Sequence, residues 1–197
     1  MIAANPKDLP QYYFSLDEYF ALEHAGEARY EYWDGEIVCI SGGSRQHGRI
    51  SSNVHGQLYL GLRGGQCQTF TAEQPVKTPT LPPYRYPDAS VACGELKYEN
   101  VRGIDVLLNP VVIVEVLSPT SAARDYEDKF TAYQAIQTFS EYLLVAQDTP
   151  RVAHYARQPG GGWERRDVTG LDAVLTLTSI GCALKMSDVY EDVTFTI

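Results

Sequence analysis

Apolar residues recur at every fourth position from Ile50 through Val54 and Leu58 to Leu62, which predicts a helix over 47–62 that stops at Gly64-Gly65. Ser15-Leu16-Asp17-Glu18 has the form of a capping box. A short helix therefore opens there and runs to about Glu23, with Tyr19, Phe20 and Leu22 on its apolar side. Between these helices, Tyr30-Glu31-Tyr32-Trp33 and Glu36-Ile37-Val38-Cys39-Ile40 are β-prone, and Asp34-Gly35 joins them with strong hairpin-turn chemistry. Strands are expected over 67–78 and 85–93. The most apolar strand is expected over 111–117, where an unbroken Val-Val-Ile-Val run suits a central strand buried on both faces. Ser118-Pro119 ends that strand, and a helix is expected over 121–138. Strands follow at 141–146 and 151–157, turning at Asp148-Thr149-Pro150. Gly160-Gly161-Gly162 leads into another strand at 163–168, and a short helix near 187–192 closes the pattern. No repeat or linker interrupts it, so a single α/β domain over 1–197 is expected.

Three charged residues break this pattern. Glu115 lies within the most apolar strand, and Asp88, after Pro87, lies in the strand expected before it. A carboxylate is costly to bury without a partner or a metal. Two on neighbouring strands can share a hard cation such as Mg²⁺, which prefers oxygen ligands and in that position polarises a phosphodiester and activates water. The third is Lys129. With Ala122 at zero and about 100° per residue, Ile136, Tyr133, Tyr126 and Phe130 span an arc from roughly −40° to +80°, and Lys129 falls inside it near about −20°. Two readings of a lysine there stand side by side. One is a snorkelling side chain or a structural ion pair. In the other, its ammonium reaches the carboxylates, positions a water and offsets charge developing on a phosphate.

Composition changes the picture mainly through charge. The chain carries 16 Lys+Arg against 25 Asp+Glu, a net charge of −9, which disfavours a broad phosphate-binding surface. Local basic candidates are Arg45, His47 and Arg49 at the start of the long helix, and Arg165-Arg166 in a late strand; a solvated face explains either group equally simply. No apolar run is long enough to span a membrane, and the N-terminus lacks a secretory pattern, so a cytoplasmic protein is expected. The four cysteines form no C-x-x-C and are expected to be reduced thiols, and the four histidines show no zinc spacing. No phosphate-cradling glycine loop or Ser/His/Asp motif is present to support a hydrolase of another phosphate ester.

Pro87-Asp88, then Val112-Ile113-Val114-Glu115-Val116-Leu117-Ser118-Pro119-Thr120-Ser121, then Asp125 and Lys129, resembles the Uma2 family (DUF820) of the PD-(D/E)XK nuclease superfamily. Arg29-Tyr30-Glu31-Tyr32, Asp34-Gly35-Glu36, His47 and Glu141-Tyr142-Leu143-Leu144-Val145 extend the likeness over 14–193. The resemblance implies a restriction-endonuclease-like mixed central sheet flanked by helices, with an N-terminal helix and hairpin. It implies Asp88 and Glu115 as ligands of Mg²⁺ or Mn²⁺, in an endonuclease-like enzyme that hydrolyses nucleic acid, DNA first of all. The superfamily usually places a lysine two residues after the glutamate, where Leu117 stands; the family supplies it from the following helix, where this chain has Lys129. A further acid from the N-terminal part is implied, with Glu36 favoured and Glu31, on the face of Trp33, as the other candidate. Related nucleases often pair, so a homodimer is expected. The rival reading, which the acidic balance favours, is a catalytically inactive nuclease fold acting as a binding module.

Overall fold

The computed structural model describes residues 13–80, 83–118, 122 and 125–195. The chain divides into two compact units, 1–42 and 43–197. In the first, helix α1 (Leu16–Ala25) starts where the capping box predicts. Glu18 N donates to Ser15 Oγ at 3.3 Å, and Ser15 N donates back to Glu18 Oε2 at 2.7 Å. Strands β1 (Tyr30–Trp33) and β2 (Glu36–Cys39) pair antiparallel, with Trp33 opposite Glu36. The turn between them holds Asp34 and Gly35 at φ 45° and 94°, the left-handed geometry that a two-residue hairpin requires. Glu31 is buried and accepts from Trp33 Nε1 at 3.1 Å, so the two share a face as alternation predicts, while Glu36 is exposed.

The second unit is built on a six-stranded mixed sheet. Its strands are β3 (Cys67–Thr71), β6 (Ala89–Cys93), β9 (Pro110–Leu117), β10 (Glu141–Ala146), β11 (Arg151–Arg157) and β12 (Trp163–Thr169), in the order β12-β11-β10-β9-β6-β3. Only β9 and β10 pair in parallel; the other neighbours are antiparallel. Val112, Val114 and Val116 of β9 pack with Ile50, Val54, Leu58 and Leu62 of helix α2 (Arg45–Leu62). Ile113, between them in sequence, packs on the opposite face with Phe130, Tyr133, Tyr142 and Leu144. Two-residue alternation thus puts an apolar layer on each side of β9, each buried Val or Leu contributing about 1.5–3 kcal/mol. The α2 layer is completed by the hairpin β13–β14 (Val174–Leu177, Cys182–Lys185) and by helix α4 (Met186–Val189). Gly61 permits the close approach of α2 to this hairpin, since a Cβ there would lie 2.6 Å from Cys182 Sγ.

Several expected elements are subdivided. The strand expected over 67–78 leaves the main sheet after Thr71. Its end becomes β4 (Val76–Lys77) in a four-stranded sheet ordered β5-β4-β8-β7, with β5 at Tyr84–Arg85, β7 at Tyr98–Val101 and β8 at Ile104–Leu107. The strand expected over 85–93 also divides, because Pro87 has no N–H to give to a ladder; Asp88 therefore stands just ahead of β6 rather than inside a strand. The expected helix over 121–138 is a π-helical turn at Asp125–Lys129 running into the short helix α3 (Phe130–Gln134), and its expected start at Ser121 lies outside the described residues. The reduced-thiol expectation is corrected at two positions. Cys67 and Cys93 are directly opposite across β3 and β6, with Cα atoms 3.9 Å apart, and their sulfurs are bonded; Cys39 and Cys182 are free. Among the described residues no helix is long and apolar enough to cross a membrane.

A buried polar cluster ties the sheet to the β13–β14 loop. Glu141 Oε2 meets His154 Nε2 at 3.0 Å, while Glu141 Oε1 accepts from Ser179 N at 2.8 Å and Thr178 Oγ1 at 3.2 Å. Burial pushes the Glu141 pKa up, but the hydrogen bonds from His154 and Ser179 and the charge of His154 outweigh it, and the pKa falls below its ordinary 4.5. A depressed carboxylate pKa contributes stability that is present above pH 4.5 and lost as pH falls through the folded value. Acid titration of the melting temperature should therefore show a decline below about pH 4.5 that Glu141→Gln flattens, along with a loss of about 1–3 kcal/mol at neutral pH. An unchanged acid limb in the variant would disprove this assignment.

Candidate active site

Because β6 runs antiparallel to β9, the start of β6 and the end of β9 lie at the same edge of the sheet. Ala89 is opposite Val114, and one further step of that register sets Asp88 opposite Glu115. The break at Pro87 frees the Asp88 carboxylate from strand alternation, and Asp88 Oδ2 accepts from Val116 N at 2.6 Å. The same oxygen lies 3.3 Å from Nε2 of His47, in the first turn of α2. Ser44 caps that helix through His47 N at 3.0 Å, which fixes the turn that carries the imidazole.

Glu115 projects from β9 on the side of Ile113, toward the π-helical turn. Its carboxylate meets two groups from there: Lys129 Nζ lies 3.3 Å from Oε2, and Tyr133 Oη donates to Oε1 at 3.1 Å. Lys129 Nζ also lies 3.1 Å from Asp125 Oδ1, an ion contact rather than a well-angled hydrogen bond. The side chains of Lys129, Glu115 and Asp125 are 7%, 4% and 2% exposed, so this is a buried ammonium between two carboxylates. Water screens such a group little, and its alignment depends on the fold. Tyr142 Oη donates to the Asp125 carbonyl at 3.0 Å and anchors the turn to β10. Burial holds the Tyr142 phenol well above its ordinary pKa, so it remains a neutral donor.

His47 responds to this charge distribution. Its hydrogen bond to Asp88 raises the imidazole pKa above 6.5, against the opposing effect of burial. The charges of Asp88 and Asp125 add to the rise, and Lys129 opposes it. The imidazole is thereby biased toward its cationic form.

The residues singled out from sequence divide clearly. Asp88, Glu115, Lys129 and His47 are brought to one edge of the sheet. Arg45 and Arg49 are exposed on α2, and Glu36 and Glu31 belong to the first unit. Arg165 pairs with Asp167 at 3.1 Å and Arg166 with Glu164 at 2.9 Å, so β12 neutralises its own basic pair. Sequence reasoning did not assign Asp125 and Tyr133 to the site. In the phase count used for Lys129, Asp125 falls at about −60°, just outside the apolar arc and four residues before Lys129, which was the available signal. Tyr133 lay inside the arc, where its hydroxyl was indistinguishable from a core ring.

Asp88 and Glu115 together offer only oxygen donors. Both contacts of Asp88 fall on Oδ2, leaving Oδ1 without a hydrogen bond among the described residues. Among the described residues no three His, Cys, Asp or Glu side chains are grouped to enclose a metal. The pair therefore fits a hard cation that retains several waters, as Mg²⁺ does, and does not fit an all-protein cage.

Residues 16–187 match the family model Uma2, described as "Putative restriction endonuclease". The uncharacterized protein slr1290 of Synechocystis sp. is 30% identical over 195 residues, covering 99% of this chain and 100% of that protein. A second Synechocystis protein, the uncharacterized sll1609, is 32% identical over 156 residues, 79% of this chain and 88% of its own length. Among solved structures, a protein from Anabaena variabilis described as a "putative nuclease belonging to DUF820" superposes with a TM-score of 0.68. It covers 90% of this chain and 97% of its own at 20% identity, a likeness of fold.

Proposed function

The chain belongs to the Uma2 family, and from that premise and the geometry of the sheet edge we propose a metal-dependent phosphodiesterase that hydrolyses DNA. The observation that carries this reading is the buried Lys129 ammonium, 3.3 Å from Glu115, on the strand whose next amide binds Asp88. Asp88 and Glu115 would hold Mg²⁺ or Mn²⁺. When bound, that ion supplies Lewis-acid polarisation of the phosphate and a lowered pKa for a bound water. The chain's own groups do the rest. Lys129 places positive charge where a phosphate oxygen gains negative charge, and it can donate a hydrogen bond to the attacking water. Asp125 and Tyr133 are positioning residues: one holds the ammonium, the other orients the Glu115 carboxylate. His47 holds Asp88 in place and adds cationic character beside it.

The inactive-module reading draws on the net charge of −9 and the self-neutralised β12 arginines. The two readings separate in one experiment. The full chain is incubated with plasmid and with single-stranded DNA in Mn²⁺ or in EDTA, and its melting temperature is followed as Mn²⁺ is added. Metal-dependent cleavage with an upward shift is expected. No shift at millimolar Mn²⁺ and no cleavage of either DNA would discard the enzyme reading.

A further inference from the structure

A cleft of about 680 Å³ opens beyond the carboxyl ends of β9 and β10. That is where parallel strands commonly present ligand sites, and the volume lies within the usual range for small-molecule pockets. Three elements contribute neighbouring residues to the site and to this cleft. Strand β9 gives Glu115 to the site and Leu117, about 7 Å further on, to the cleft. The π-helical turn gives Asp125 and Lys129 to the site and Tyr126 to the cleft. The first turn of α2 gives His47 to the site and Gln46 to the cleft. The cleft and the proposed reaction centre are thus built on the same three elements.

Its chemistry is not that of a phosphate channel. Among the described residues, the charged side chains lining it are Asp148 and Arg151, whose formal charges cancel. Tyr126 is fixed in its wall: Arg151 Nη2 donates to Tyr126 Oη at 3.1 Å, and the Arg165 guanidinium lies 5.6 Å from the ring centroid. Gln46 and Gln147 add amides that can donate and accept. An aromatic wall, apolar surface and amides without net charge suit an uncharged planar base. A base reaches such a cleft only when unpaired, since a duplex keeps its bases stacked inside.

We infer that this cleft receives an unpaired nucleobase next to the phosphate at the Asp88–Glu115–Lys129 site, so that the protein selects single-stranded over fully paired nucleic acid. The inference rests on the nuclease reading and names its substrate class. It also explains how a chain of net charge −9 can engage nucleic acid, because stacking replaces part of the phosphate neutralisation that a duplex binder needs.

The test is fluorescence anisotropy with a labelled 12-nucleotide DNA strand and its duplex, using the full chain in EDTA so that no cleavage occurs. The single strand should bind at least about tenfold more tightly, and Tyr126→Ala should remove about tenfold of that affinity, as expected for one base stack. Thr149→Glu, an exposed change that adds negative charge to the cleft wall, should weaken single-strand binding without altering the melting temperature. Equal binding of the two forms, or no loss in both variants, overturns the inference. Mn²⁺-dependent cleavage by wild type in that case leaves the nuclease reading standing. Absence of both binding and cleavage removes the two together, and an RNA strand in parallel shows whether the sugar matters.

Discussion

Lys129→Met is expected to abolish Mn²⁺-dependent DNA cleavage by about a thousandfold or more, the scale of a lost preorganised donor at developing charge. It should also lower the melting temperature by about 10 °C. The second effect follows from burial. Lys129 lies 3.1 Å from Asp125 and 3.3 Å from Glu115 with almost no solvent access, so its removal leaves two carboxylates without their shared cation. Breaking a buried pair in this way costs about 3–5 kcal/mol, and a domain of this size loses roughly 2–4 °C per kcal/mol. Adding Asp125→Asn to Lys129→Met removes one of the stranded charges. It should therefore recover part of the stability and none of the cleavage, separating the chemical role of the ammonium from its structural one. Thermal melts and plasmid nicking on the same preparations decide the matter. A Lys129→Met protein that cuts within tenfold of wild type would remove the lysine from the mechanism.

The legibility of these features follows from the range of the forces that set them. The capping box at Ser15, the Asp34-Gly35 turn and the four-residue period of α2 are local, and each element lies where its residues predict. The Val-Val-Ile-Val run was equally informative, because a strand with apolar side chains on both faces needs a layer on each side. What sequence reasoning missed was set by partners distant in the chain. Val76–Lys77 pairs in parallel with Ile104–Leu107, and Cys67 meets Cys93 only through the β3–β6 register. Neither is encoded in a short window. In the site, Lys129 was legible as a charge in an apolar arc. His47 was noticed as a basic group at a helix start, yet its partner Asp88 lies 41 residues away (88 − 47) and is visible only in the fold. The π-helical turn changes the spacing of side chains between Asp125 and Lys129, which a uniform 100° step does not represent.

Asp88→Asn should separate metal binding from folding more cleanly than any other single change in this chain. The asparagine retains an oxygen that can accept from Val116 N, so the strand edge keeps its hydrogen bond. What disappears is the carboxylate charge. A charge-assisted bond is about twice as strong as a neutral one, which puts the metal-free stability loss near 1 kcal/mol. The effect on metal should be far larger. With Asp88 neutral, Glu115 is left as the remaining carboxylate of the proposed pair, and its oxygens are already engaged by Lys129 and Tyr133. The upward shift of melting temperature with Mn²⁺ should therefore vanish, and cleavage should fall by about a thousandfold, the loss expected when a metal's stabilisation of the transition state is removed. Calorimetric titration with Mn²⁺ gives a second reading that does not depend on activity. If Asp88→Asn binds Mn²⁺ as tightly as wild type, the ion sits elsewhere and the pairing of Asp88 with Glu115 is purely structural. If instead metal binding is lost while the metal-free melting temperature holds, the sheet edge is a cation site held in place by the fold rather than one required for it.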